Sequence, residues 1–186
     1  GHGALNAQNY ATSTDSYNTA VGAKAGESVT TGVKNTIIGG LAADRLTDAD
    51  FNTAIGYGTL STDTLGSRST AIGAFALEAQ NFTTATATYN VAVGYEAGLS
   101  VTTGQYNTLL GGRAGDKITD GDANVAVGVN AIGTDTLGKY SVAIGMGALQ
   151  TQNFTTSTDT YNVAVGHNAG LSVTTGIQNT LIGGLA

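Results

Sequence analysis

Residues 18–22 read NTAVG, and the same pentad returns nine more times: NTIIG (35–39), NTAIG (52–56), STAIG (69–73), NVAVG (90–94), NTLLG (107–111), NVAVG (124–128), SVAIG (141–145), NVAVG (162–166) and NTLIG (179–183). Successive copies lie 17, 17, 17, 21, 17, 17, 17, 21 and 17 residues apart, so four rungs make a superrepeat of 72. NTAVGAKAGESVTTG (18–32) accordingly reappears as NVAVGYEAGLSVTTG (90–104) and NVAVGHNAGLSVTTG (162–176). A fixed short period means one small supersecondary unit stacked many times.

Seventeen residues are too few for the common two-helix repeats, and the apolar residues come in short runs rather than at helical spacing. The unit fits one coil of an all-β solenoid, with two short strands and two turns, each coil pairing with those above and below at about 4.8 Å. Ten coils then make a rod on the order of 50 Å long. The rungs follow one another without linker or composition shift, so residues 1–186 read as one repeat domain. It comprises superrepeats 18–89 and 90–161 and a partial one at 162–186. GALNAQNYATSTDSYNTAVG (3–22) matches GALQTQNFTTSTDTYNVAVG (147–166), and the last rung stops at Ala186. The chain therefore reads as a window on a longer repetitive protein, with Gly1 and His2 outside the pattern.

Composition agrees. Glycine is 28 of 186 residues without collagen's spacing, 41% of residues are apolar, and Pro, Cys and Trp are absent. That combination suits ordered tight turns and strands flanked on both sides, since proline cannot donate to a ladder. A net charge of −6 with seven scattered basic residues argues against nucleic acid, whose phosphates call for clustered Lys and Arg. No run of eighteen apolar residues exists, so no membrane insertion is expected in this segment.

Within each rung the third pentad position (Ala20, Ile37, Ala54, Ala71, Ala92, Leu109, Ala126, Ala143, Ala164, Leu181) and the fourth (Val21, Ile38, Ile55, Ile72, Val93, Leu110, Val127, Ile144, Val165, Ile182) are both apolar. Neighbouring strand residues point to opposite faces. One of the two positions fills the coil, and the other is expected to be covered by another copy of the chain. The closing glycine suits a turn of positive φ, and the Ala three residues later (Thr59 in one rung) a tight corner. A second strand is expected around Val29, Leu46, Val101, Ile118 and Val173, displaced to Leu65 and Leu137 in the TDTLG rungs. The Asn that opens most pentads should stack as a ladder satisfying turn backbone groups. The four extra residues in each 21-residue rung, around 79–89 and 151–161, are expected to project as loops.

The pentad followed by two variable residues and Ala, as in NVAVGYEA (90–97), resembles the head repeats of YadA-type trimeric autotransporter adhesins and the related repeats of bacteriophage tail fibres. The resemblance spans essentially the whole chain. It implies a left-handed parallel β-roll, a homotrimer packed side by side about a common axis, and attachment to a host cell or surface from a virion or bacterial cell surface, hence an extracellular place of work. The long rung and the fourfold superrepeat with its insert depart from the adhesin heads and favour a fibre relative. The competing readings are an ice- or surface-binding solenoid, for which the SVTTG and TDTLG threonines form too broken an array, and a polysaccharide-acting solenoid enzyme, which would need a non-repeating cleft.

Two sets of carboxylates recur, Asp44, Asp48 and Asp50 and again Asp116, Asp120 and Asp122. Their spacing matches no EF-hand or glycine-rich calcium repeat, so they read as turn residues, with Ca²⁺ as the alternative and no cofactor required. No His recurs beside a Ser and a carboxylate, and no catalytic residues are assigned. The aromatics flanking the inserts, Phe82, Tyr89, Phe154 and Tyr161, are the candidates for contact with a cell-surface glycan or receptor, because exposed rings beside Thr and Asn are what a sugar-binding surface uses.

Overall fold

The computed structural model describes residues 1–186 and contains no helix. Ten three-residue strands form one parallel sheet in sequence order: Thr19–Val21, Thr36–Ile38, Thr53–Ile55, Thr70–Ile72, Val91–Val93, Thr108–Leu110, Val125–Val127, Val142–Ile144, Val163–Val165 and Thr180–Ile182. Pairing never slips: Ala20 lies opposite Ile37, Ile37 opposite Ala54, and so to Ala164 opposite Leu181. Each strand is the middle of a pentad, so the chain is a β-solenoid whose rungs are the sequence repeat.

The third pentad position points inward. From Ile37 to Ala164 these residues are fully buried, whereas the fourth-position side chains stand half-buried or exposed on the outer face of the sheet. A single column of 26 buried apolar residues runs through the coils. It consists of the third position, the corner Ala, the positions four and seven residues after the pentad glycine, and Ala49.

The expected second strand forms only beside Leu65 and Leu137, as the two-residue strands Gly66–Ser67 and Gly138–Lys139, and is absent from the other rungs. Val29, Leu46, Val101 and Ile118 are buried as anticipated, but the backbone around them turns. It is held by bonds between rungs such as Thr30 N–H to Thr47 O (3.0 Å). The reason lies in the backbone. Every rung places the residues two and four after its glycine at positive φ, for example Glu96 (55°), Gly98 (60°), Asn130 (57°) and Ile132 (50°). Alternating left-handed residues curl the chain too tightly for a strand.

Leu65 and Leu137 are likewise not the inward residues of their rungs. Leu60 and Ile132 are fully buried instead, and Asp63 and Asp135 take the place of the valine. Gly1 and His2 also belong to the repeat. Lys24 N–H donates to His2 O (2.8 Å), and a side chain on Gly1 would collide with Gly22, as each pentad glycine would with the next.

Two short parallel pairs, Gly66–Ser67 with Thr86–Ala87 and Gly138–Lys139 with Thr158–Asp159, account for the long rungs. The inserted chain turns back against the rung before it. The only runs of three consecutive exposed residues in the inserts are 83–85 and 155–157, a much smaller projection than the sequence suggested.

Candidate functional site

Three surfaces follow from this architecture. The first is the outer face of the ten-stranded sheet. Its fourth-position column is aliphatic in every rung, with Ile38 37% and Ile144 40% exposed in mid-rod. Beside it runs the second-position column, Thr in the first four rungs and mostly Val thereafter. A parallel sheet is normally covered on both faces, and this one is covered only by its own coils.

The second surface is the column just before each pentad: Tyr17, Lys34, Phe51, Arg68, Tyr89, Tyr106, Ala123, Tyr140, Tyr161 and Gln178. All ten residues have φ between 50° and 66°. Identical backbone in every rung aims the side chains the same way, and they pack on one another along the rod. Lys34 Nζ lies 4.8 Å from the Phe51 ring centre, and the Arg68 guanidinium lies 5.5 Å from Phe51 and 5.6 Å from Tyr89. Tyr89 stacks on Tyr106 at 5.8 Å and Tyr140 on Tyr161 at 5.3 Å. Of the four aromatics singled out from the sequence, Tyr89 and Tyr161 thus belong to an exposed ladder. Phe82 and Phe154 do not: they are 6% and 7% exposed and fill the base of the inserts. The ladder was missed because its members share only a place in the repeat, not a residue type.

The third surface is a shallow groove of about 240 Å³ lined by Leu41, Asp44, Arg45, Tyr57, Phe75 and Glu78 among others. The Tyr57 and Phe75 rings meet edge to face at 5.5 Å. One superrepeat later the equivalent positions hold Val129 and Gly147.

The acidic residues are distributed between rungs rather than gathered. Asp50 Oδ1 accepts from Val33 N–H (2.8 Å), and Asp122 Oδ1 from Gln105 N–H (2.9 Å), so each carboxylate caps the turn of the preceding rung. Asp122 also pairs with Lys139 at 2.7 Å. Asp120 accepts from Thr102 Oγ1 and Thr103 Oγ1, which hold its carboxyl below the usual aspartate range, and Asp48 accepts from Thr31 Oγ1. Burial pushes the carboxyls of Asp44 and Asp116 upward. No three His, Cys, Asp or Glu side chains converge as a metal site would need.

The polar interior is more organised than the sequence indicated. The Asn ladder runs as expected: Asn35 N–H donates to Asn18 Oδ1, Asn52 N–H to Asn35 Oδ1 and Asn124 N–H to Asn107 Oδ1. Each amide nitrogen then closes its own rung, as Asn107 Nδ2 does on Gly121 O (2.8 Å). Beneath each insert lies a second, buried network. Asp63 Oδ1 accepts from the Gly66 and Phe82 amides, and Asp63 Oδ2 from Gln80 Nε2. Gln80 Nε2 also donates to Ser69 Oγ, and its Oε1 accepts from Asn90 Nδ2. Asp135, Gln152, Ser141 and Asn162 repeat the arrangement around Phe154. Several threonines on the far side of the coil also serve the rod, Thr47 and Thr119 donating to Thr64 O and Thr136 O of the next rung. Comparison with protein-family models, curated proteins and solved structures gave no match for the chain.

Proposed function

We propose that this chain is a structural and adhesive segment of an attachment fibre, built as a left-handed β-roll and working as a side-by-side homotrimer. Such a segment serves in a phage tail fibre or in a trimeric adhesin of the bacterial surface, outside the cell, and engages a host-cell glycan or receptor. The observation that carries the reading is the outer face of the sheet, where ten consecutive rungs present Val, Ile or Leu with no part of the chain to cover them. An aliphatic stripe of several hundred Å² is larger than a soluble monomer usually leaves exposed. A cyclic assembly of parallel copies covers it with the same contact in every rung. The resemblance of the pentad repeats to trimeric adhesin heads and tail fibres points the same way.

Static light scattering on the eluting protein is the test. A mass three times that of the 18.5 kDa chain is expected, and a folded monomer at micromolar concentration would refute the assembly. Adhesion is tested separately by binding of labelled protein to cells or a glycan array. Replacing the exposed ladder members Tyr89 and Tyr161 with Ser should weaken that binding while leaving the mass unchanged.

A further inference from the structure

The stacked tyrosines have a chemistry that attachment does not use. We propose that Tyr89 with Tyr106, and Tyr140 with Tyr161, are oxidative cross-linking sites at which one-electron oxidation joins neighbouring rungs through dityrosine. The rings of the first pair lie 5.8 Å apart with 12° between their planes, and those of the second 5.3 Å apart with 7°. All four residues share the left-handed backbone conformation, with φ from 50° to 62°. The rungs that carry them are tied at the same point, by Tyr106 N–H on Thr88 O (2.9 Å) and Thr160 N–H on Lys139 O (3.0 Å). Each ring is about half exposed, so an oxidant in solution reaches it.

Composition directs the oxidation to tyrosine, and stacking to these four rings. The chain has no Trp or Cys to intercept an oxidising equivalent and a single Met, Met146, whose reaction is oxygen transfer to sulfur. A haem peroxidase with hydrogen peroxide supplies the oxidant. Each phenol gives up one electron and its hydroxyl proton, and the two radicals couple between the Cε carbons, ortho to the oxygens. The hydrogen displaced at each coupled carbon then moves to the phenoxyl oxygen and restores the aromatic ring. Two tyrosines lose two hydrogens in all, and one peroxide becomes two waters. With no cysteine in the chain no disulfide can join the rungs, and a carbon–carbon bond of this kind supplies a covalent closure between them.

The other four tyrosines are internal controls. Tyr57 and Tyr95 each face Phe75, Tyr10 donates its hydroxyl to Gly32 O, and Tyr17 has no ring partner. The experiment is oxidation of the intact folded protein with peroxidase and hydrogen peroxide, followed by peptide mapping by mass spectrometry. Two bridges per chain are expected, 89 to 106 and 140 to 161, each lowering the mass by two hydrogens, with a yield independent of protein concentration. Tyr106→Phe should remove the first bridge and keep the second, and Tyr161→Phe should do the reverse. Bridges shared equally with Tyr10, Tyr17, Tyr57 or Tyr95, bridges formed only between chains, or oxidation without dityrosine would each overturn the proposal.

Discussion

At the scale of single residues, the fold is paid for in backbone strain and repaid by stacking. Twenty-four residues other than glycine have positive φ, a conformation that costs on the order of 1–2 kcal/mol each outside glycine and asparagine. They are sustained because each left-handed turn is bonded to the rungs on either side. The pentad glycine is a different matter. Its φ lies between 127° and 139°, and a Cβ there would strike the glycine carbonyl of the next rung, so no other residue fits. The glycines four residues later are set by volume instead: a Cβ on Gly98 would approach Leu109 Cδ1 to 2.7 Å and Leu77 Cδ2 to 2.9 Å. At the equivalent place in another rung Ala43 is accommodated, and there the facing third-position residue is Ala54 rather than leucine. Gly98→Ala is therefore expected to cost about 1–3 kcal/mol by overpacking, with the left-handed φ of 60° adding to it. Combined with Leu109→Ala, it should cost less than the sum of the two single changes in urea unfolding. Acid titration of stability offers a second check. Burial raises the Asp44 and Asp116 carboxyls above the aspartate value of 3.8. The native state thus holds their protons more tightly than the unfolded chain. Their contribution to stability is greatest below that value and is lost as pH rises through the raised one. Asn at both positions should remove that slope.

At the scale of the rung, the four-rung superrepeat is a solution to filling a narrow coil. Where the fourth residue after the glycine is Gly, the seventh is Val or Ile, as at Gly98 with Val101 and Gly115 with Ile118. Where the fourth is Leu or Ile, the seventh is Asp or Gln, as at Leu60 with Asp63 and Leu77 with Gln80. The second arrangement brings buried polar atoms, and the insert supplies their partners through the Phe82 amide, Thr88 and the closing Asn90. Insert, Asp-bearing rung and the Ser that replaces the pentad Asn are in this sense one device. Asp63→Ala should leave the buried Gly66 and Phe82 amides without their acceptor and take one of two acceptors from Gln80 Nε2, costing about 2–5 kcal/mol. Its local mark is faster hydrogen exchange at Thr86 and Thr88, with Thr158 and Thr160 as the unperturbed control. Equal acceleration in both inserts would show that Asp63 does not act locally. This layer was only partly legible in the sequence. Period, parallel stacking and Asn ladder all follow from repetition, because repetition forces equivalent contacts. The lack of a second strand around Val29, Leu46, Val101 and Ile118, the exchange of Leu60 for Leu65 and the burial of Phe82 did not follow. They depend on left-handed residues whose identities, among them Lys, Glu, Phe and Leu, carry no mark of that conformation.

At the scale of the whole molecule, the rod has a core about one side chain deep and one flat face that its own chain leaves open. From sequence the two apolar pentad positions were equivalent candidates for the interior, and the structure separates them: Ala126 is fully buried, while Val127 lies on the outer face. The separation turns two adjacent substitutions into opposite experiments. Aspartate at 126 would sit in a space sized for a methyl group, without a hydrogen-bond partner, at a cost of several kcal/mol. The rung should open, with loss of far-UV β signal and a lowered unfolding midpoint. Aspartate at 127 keeps every contact inside the coil and should leave the isolated rod folded. If copies of the chain meet on this face, Val127→Asp places a charge in the interface once per subunit, and in a trimer three of them converge on the axis. The expected result is a rod with unchanged circular dichroism that elutes with one third of the parent mass. The same charge at Glu96, which already pairs with Arg113 at 2.8 Å on a different column of the surface, should leave both mass and spectrum as they were. If Val127→Asp leaves the mass unchanged while Ala126→Asp unfolds the chain, the coil interior is as described and the sheet face is not where the copies meet.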